Sequence, residues 1–151
     1  MLEVLEFKLD NVAYGLPASR VVEVAPRVWI TPLPGMGAPV LGVVCVRGAV
    51  AVVIDLRARL GHPPRTPLVG DHFIVAQGAR RMVALVVDRV VGLSRLPLAK
   101  IQHPPVATPQ LFGLVAQPDG LILIEDLDAA LSLDEEQALD RVMGGLEGGG
   151  P

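Results

Sequence analysis

The chain repeats itself. Asp55-Leu56-Arg57-Ala58-Arg59-Leu60 recurs 71 residues later as Asp126-Leu127-Asp128-Ala129-Ala130-Leu131, with the shared pattern Asp-Leu-x-Ala-x-Leu. Gly42-Val43-Val44 recurs at the same offset as Gly113-Leu114-Val115, and Arg20-Val21-Val22-Glu23-Val24 recurs at an offset of 69 as Arg89-Val90-Val91-Gly92-Leu93. The blocks keep their order, and a two-residue insertion reconciles the offsets. The 151 residues therefore read as two related copies, about 4–60 and 72–131, that must be built from the same elements.

Those elements are strands. The apolar segments are short, rich in Val, Ile and Leu, and closed by Gly, Pro, Asn or Asp. Val4 to Leu9 and Val12 to Pro17 flank the turn Asp10-Asn11, which predicts a hairpin. Val40 to Val46 and Ala49 to Ile54 flank Arg47-Gly48, where the glycine supplies a positive φ. Further strands are predicted at Phe73 to Ala76, Met82 to Val87, Val90 to Leu93, Leu111 to Ala116 and Leu121 to Ile124. Each copy thus offers roughly five strands, enough for a small barrel with no open sheet edge. The expectation is an all-β chain of two related barrels, one per copy. The Pro-rich stretch His62 to Pro67 is too short and too closely flanked by apolar runs to be a flexible linker, so the barrels should pack together. Only the end reads as helical: a short helix over Leu127 to Leu131, then Ser132 and Asp134 as caps for a helix over Glu135 to Met143. Residues 1–143 form the domain on this reading, and the Gly-rich residues 144–151 a disordered tail.

Composition narrows the function. Apolar residues make up 51% and charged residues 19%, so the chain is packed and not disordered. Thirteen Lys and Arg against sixteen Asp and Glu give a net charge of -3, and the five aromatics are scattered with no interleaved basic pattern, which argues against nucleic acid. Met1 opens onto no basic-then-apolar leader, and Cys45 is the single cysteine, a pattern that reads as cytoplasmic. The uncharged run Val28 to Val46 contains three prolines and three glycines and cannot be a spanning helix.

Catalytic signatures are missing. His62, His72 and His103 have no metal-ligand spacing, and His62-Pro63-Pro64 and His103-Pro104-Pro105 read as loops. Cys45 lies in an apolar run and reads as a small buried hydrophobe. Neither a phosphate-cradling Gly-Lys-Ser/Thr loop nor a Gly-x-Ser-x-Gly elbow occurs among Ser19, Ser94 and Ser132. Asp55, Asp88 and Asp126 each end an apolar strand, where capping or turn formation is their expected role. No metal, no nucleotide cofactor and no catalytic residue is expected.

Two charges stand out because the second copy lacks them. Arg47 corresponds to Pro118 and Glu23 to Gly92. A barrel does not need either, and an Arg in a Gly-bounded turn is a directional anchor for a partner's carboxylate or carbonyls.

At these residues the chain resembles the CheW family of chemotaxis adaptors. Tyr14-Gly15-Leu16-Pro17 with Val21-Val22-Glu23-Val24 is similar to that family's first hairpin and following segment, and Ile30-Thr31-Pro32-Leu33-Pro34 to its next strand. Gly42 to Gly48 with Val53-Ile54-Asp55-Leu56-Arg57 resembles its most recognisable block, and Val86 to Val90 and Gly120 to Asp126 complete the order. The family usually has Asn-Leu-Arg-Gly where this chain has Cys45-Val46-Arg47-Gly48, and often a proline where it has Val52. The resemblance implies two packed five-stranded SH3-like barrels related by internal duplication. It implies a non-catalytic adaptor that links the cytoplasmic tip of a chemoreceptor, a methyl-accepting chemotaxis protein, to the regulatory domain of a CheA-type histidine kinase. The receptor would sit in a groove between barrels near Val21, Glu23, Arg47 and Gly48, and the kinase on apolar barrel surface, with the protein recruited to receptor arrays at the inner membrane. The competing expectation is a two-barrel enzyme or small-ligand module with a site in that groove, which would require converging His, Cys or carboxylate residues.

Overall fold

A computed structural model of the chain describes residues 1–65, 71–104 and 110–148. In chain order the regular elements are β1 (Leu2–Leu9), β2 (Val12–Pro17), β3 (Val21–Pro26), β4 (Val40–Val46), β5 (Ala49–Asp55), α1 (Leu56–Arg59), β6 (His72–Gln77), β7 (Met82–Val87), β8 (Arg89–Leu96), β9 (Leu111–Gln117), β10 (Gly120–Glu125) and α2 (Leu133–Gly148). The strands form two five-stranded barrels. Barrel I has the order β8-β1-β2-β10-β9 and barrel II the order β3-β6-β7-β5-β4.

The two orders match when β1 to β5 are set against β6 to β10, and the irregularities match with them. Val22 is bulged where β3 pairs with β6, and Val91 where β8 pairs with β1, 69 residues on. Leu41 is bulged in β4 and Phe112 in β9, 71 residues on. The isolated bridges Thr31 to Val43 and Gln102 to Leu114 repeat the larger offset. The expectation of one barrel per copy is corrected, however. Each barrel takes its leading hairpin from one copy and its other three strands from the other, so β1-β2 sits in barrel I with β8, β9 and β10, while β6-β7 sits in barrel II with β3, β4 and β5. The halves are interlocked through hydrogen-bonded strands.

Three apolar clusters follow from this arrangement. Val44, Ala51, Val53, Phe73, Val75 and Ala84 fill barrel II. Val4, Leu96, Val115, Ile122 and Ile124 fill barrel I. The largest cluster lies between them, where Phe7, Leu9 and Leu16 from one sheet meet Ile54, Ile74 and Leu85 from the other. Leu139 and Met143 of α2 are buried in the same cluster. Ser132 and Glu135 form a capping box at the start of α2: the Ser132 Oγ accepts from the Glu135 backbone N–H at 3.1 Å, and the Glu135 carboxylate accepts from the Ser132 N–H at 2.7 Å.

Some expectations change. The helix begins at Leu133 and continues to Gly148, five residues past Met143, because buried Leu139 and Met143 hold it and no proline interrupts it. Residues 149–151 of the expected tail, and the join beyond Arg65, lie outside the described residues. Leu127–Ala129 is a single 3-10 turn capped by Asp126. Ile30 to Pro34 is not a strand: Thr31 makes one bridge to Val43, and Pro32 and Pro34 within the segment have no N–H to donate to a ladder. Cys45 is exposed, not buried, because strand alternation turns it outward from Val44, and the all-apolar β4 hides that alternation in the sequence.

The Thr31 bridge requires Gly42. Its φ is 148°, and a Cβ there would lie 2.1 Å from the Thr31 carbonyl oxygen. Gly42→Ala is expected to lower Tm by roughly 5–15 °C, measured by circular dichroism, since both the backbone strain and the broken bridge act on barrel II.

Candidate functional site

Barrel curvature brings β3 and the β4-β5 turn, which stand at opposite ends of the strand order of barrel II, to the same place. The Arg47 Nη2 donates to Glu23 Oε2 at 3.3 Å, and its Nε lies 3.3 Å from Oε1. This two-point pairing leaves the Arg47 side chain 76% exposed and Glu23 only 24% exposed. The turn itself is of type I′: Arg47 has φ 50° and Gly48 φ 80°. Asn or Gly favours the first of these positions, and a left-handed non-Gly residue costs on the order of 1 kcal/mol. Arg47 is therefore held against its backbone preference. The equivalent turn in barrel I has Pro118, whose ring forbids positive φ, facing a Gly92 without a side chain, so the pair exists on one barrel only. Of the four residues expected at the groove, Glu23, Arg47 and Gly48 stand together at the surface. Val21 is half-buried and packs against the inter-barrel core, while its neighbours Val22 and Val24 are exposed.

A second constellation was not legible in the sequence. The nearly buried Arg57 donates to Asp88 at 2.8 Å and to Asp10 at 2.9 Å, tying α1 to the β1-β2 and β7-β8 turns. Asp88 also accepts from Arg65 at 2.7 Å and from the Asp10 N–H at 2.7 Å. His62 belongs to this group and is not a free loop residue. The Tyr14 hydroxyl is hydrogen-bonded to His62 Nε2 at 2.6 Å, and His62 Nδ1 donates to Asp10 at 2.9 Å. The direction of the second bond follows from Asp10, whose pKa is lowered by the His62 and Arg57 hydrogen bonds and which can only accept. Tyr14 does not act as an acid here: burial, with the Glu125 and Asp10 charges adding to it, pushes its pKa up to about 12. Asp55 and Asp126 do cap, Asp55 accepting from the Arg57 and Ala58 N–H groups and Asp126 from that of Asp128. Asp88 instead serves as the anion between two arginines.

Glu125 is the other residue the sequence hid. It is 3% exposed, and burial first, then the Asp126 charge, raises its pKa to about 8. The unfolded chain loses this proton near 4.5, whereas the folded protein keeps it to about 8. The proton held by Glu125 therefore stabilises the fold fully below about 4.5, and this contribution, a few kcal/mol in size, declines until about 8. Ile54 occupies the corresponding place in the first copy and is fully buried. Glu125→Ile is expected to remove that slope and to raise Tm at about pH 8 by roughly 3–10 °C, measured by thermal melts across pH.

Two interlocked SH3-like barrels with a shared core, one of them carrying an exposed Arg-Glu pair on a strained turn, define a duplicated two-barrel interaction module. Known proteins share it. The family model of the CheW-like domain matches residues 3–135. The chain is 32% identical over 141 residues to the probable chemotaxis protein CheW of Rhizobium etli, covering 90% of this chain and 91% of that protein. It is 35% identical over 120 residues to protein FrzA of Myxococcus xanthus, covering 72% and 71%. The crystal structure of scaffolding protein TtCheW from Thermoanaerobacter tengcongensis matches with a TM-score of 0.81 at 26% identity, over 89% of this chain and 90% of that one. The chain belongs to the CheW-like domain family and is an adaptor of chemotaxis-type signal transduction.

Proposed function

We propose that this adaptor joins the cytoplasmic tip of a methyl-accepting chemoreceptor to the regulatory domain of a CheA-type histidine kinase, at receptor arrays on the cytoplasmic side of the inner membrane. It acts by contact, with no reaction, cofactor, nucleic acid or membrane insertion of its own. The receptor tip docks at Glu23, Arg47 and Gly48, with Val21 shaping the floor beneath them. The observation that carries this reading is the Arg47 side chain, held by Glu23 yet 76% exposed on a turn that disfavours it. A residue kept at such a position is one whose side chain is needed outside the fold. Exposed Val22 and Val24 on β3, and Val91 and Leu93 at the matching places on β8, supply apolar surface for the kinase domain. Titration of the chain with each partner separately tests the assignment. Saturable one-to-one binding to both is expected, and absence of binding to either overturns it.

A further inference from the structure

The end of β10 carries a carboxyl where the end of β5 carries a hydrocarbon. Glu125 pairs with Leu111 beside the bulged Phe112, as Ile54 pairs with Val40 beside the bulged Leu41. Both side chains are buried, so packing at this place is satisfied without a carboxyl. Glu125 borders a cavity of about 130 Å3 walled by Leu2, Pro17, Phe112 and Leu127, with Arg20 at its rim. Among the described residues the Glu125 Oε1 is buried with no hydrogen-bond partner, a state that costs free energy and that a cationic donor would relieve.

The matching hollow of barrel II shows which kind of donor fits. It is bordered by Leu41, Asp55, Asp71 and Val86, the counterparts of Phe112, Asp126, Leu2 and Pro17 at the two offsets. Guanidinium groups line it and pair with its carboxylates: Arg27 and Arg65 reach Asp71 at 3.5 and 3.0 Å, and Arg65 and Arg57 reach Asp88 at 2.7 and 2.8 Å. In barrel I the carboxyl comes from Glu125 instead, and Arg20 is held by Asp128 at 2.5 Å.

We propose that the barrel I hollow is a binding site for an alkylguanidinium group, the end of an arginine side chain presented by a partner chain. The apolar walls take the methylene stem, the 57% exposed Phe112 offers its ring face to the cation, and the Glu125 carboxylate accepts its N–H groups. Asp126 at the strand end and Asp128 on the following turn add negative charge, the Tyr14 hydroxyl on β2, engaged with His62, is neutral, and Arg20 opposes the incoming cation from the rim. Glu125 gives its proton to solvent when the cation enters. Affinity therefore rises with pH, about tenfold per unit at most, and levels off above about 8. Its lining includes none of Val21, Glu23, Arg47 and Gly48, so it does not depend on the receptor assignment.

The full chain is titrated with ethylguanidinium and with the peptide acetyl-Gly-Arg-Gly-amide, followed by NMR shifts of the residues lining the hollow. The expected result is binding of both probes on the order of millimolar, at least about tenfold tighter near pH 8 than near pH 6. Both Glu125→Ile and Glu125→Gln should weaken it by at least about tenfold. Glu125→Ile places in β10 the residue that β5 already carries, so the fold is retained. Binding unchanged in both variants, or no shift at the hollow, overturns the proposal. So does a wild-type Glu125 that titrates in the ordinary carboxylate range and moves upward in Arg20→Ala, which would mean that Arg20 already fills the space. Binding of ethylguanidinium without the peptide overturns the assignment to a side chain.

Discussion

A chain ending at Pro64 is expected to lose cooperative unfolding altogether. It would keep β1 to β5, one whole copy of the duplication, but only the hairpins β1-β2 and β4-β5 would retain a paired neighbour. Removing β6 and β7 takes out the two strands that join β3 to β5, and removing β8, β9 and β10 strips both sides of the β1-β2 hairpin. The inter-barrel cluster would lose Ile74, Leu85, Leu139 and Met143 in the same step. Isolated two-stranded hairpins are marginal in water. Circular dichroism melts and amide NMR dispersion would read the loss. A monomeric, cooperatively melting fragment would mean that a copy can close a barrel by itself, and would contradict the strand exchange.

Arg47→Ala is expected to lower affinity for the receptor tip about tenfold or more while leaving Tm nearly unchanged. An arginine contact that is charge-assisted and partly desolvated on binding contributes on the order of 1.5–3 kcal/mol. Ala has the same left-handed backbone cost as Arg, so the turn is neither relieved nor further strained. The exposed Arg47-Glu23 pair itself contributes little to stability. Glu23→Ala should weaken the same binding less if its carboxylate only orients Arg47, and Arg47→Lys should recover part of the loss by restoring charge without the planar fork. Kinase-domain affinity should change less than receptor affinity in all three variants. Isothermal titration against each partner, with a melt of each variant, reads both halves of the expectation. Unchanged receptor affinity in Arg47→Ala removes the groove assignment, and a large fall in Tm would make Arg47 a structural residue.

The sequence disclosed the parts of this molecule more readily than their pairing. Apolar runs bounded by turn residues located most strands to within a residue or two, because local turn chemistry at Asp10-Asn11 and Arg47-Gly48 sets hairpin ends. The duplication predicted two barrels, but exchanged and unexchanged hairpins bury the same residues, so nothing in the repeat says which copy supplies a neighbour. Arg57 was hidden for a similar reason: its partners Asp10 and Asp88 are remote in the chain and meet only after the barrels dock. Arg47 and Glu23 could be singled out because their counterparts, Pro118 and Gly92, lack charge. The same comparison applied to Glu125 would have set a carboxyl against Ile54, but its place at the end of Gly120-Leu121-Ile122-Leu123-Ile124 made it look like the polar boundary of a strand.

An adaptor that joins two other proteins must hold both at once. Receptor tip and kinase regulatory domain are mixed with the chain at matched concentrations and followed by analytical ultracentrifugation, with the two partners alone as reference. The expected result is a ternary species that forms only when the chain is present and that Arg47→Ala depletes by releasing the receptor tip while the kinase domain stays bound. Mutually exclusive binding of the two partners, or a receptor-kinase complex of equal strength without the chain, would contradict it.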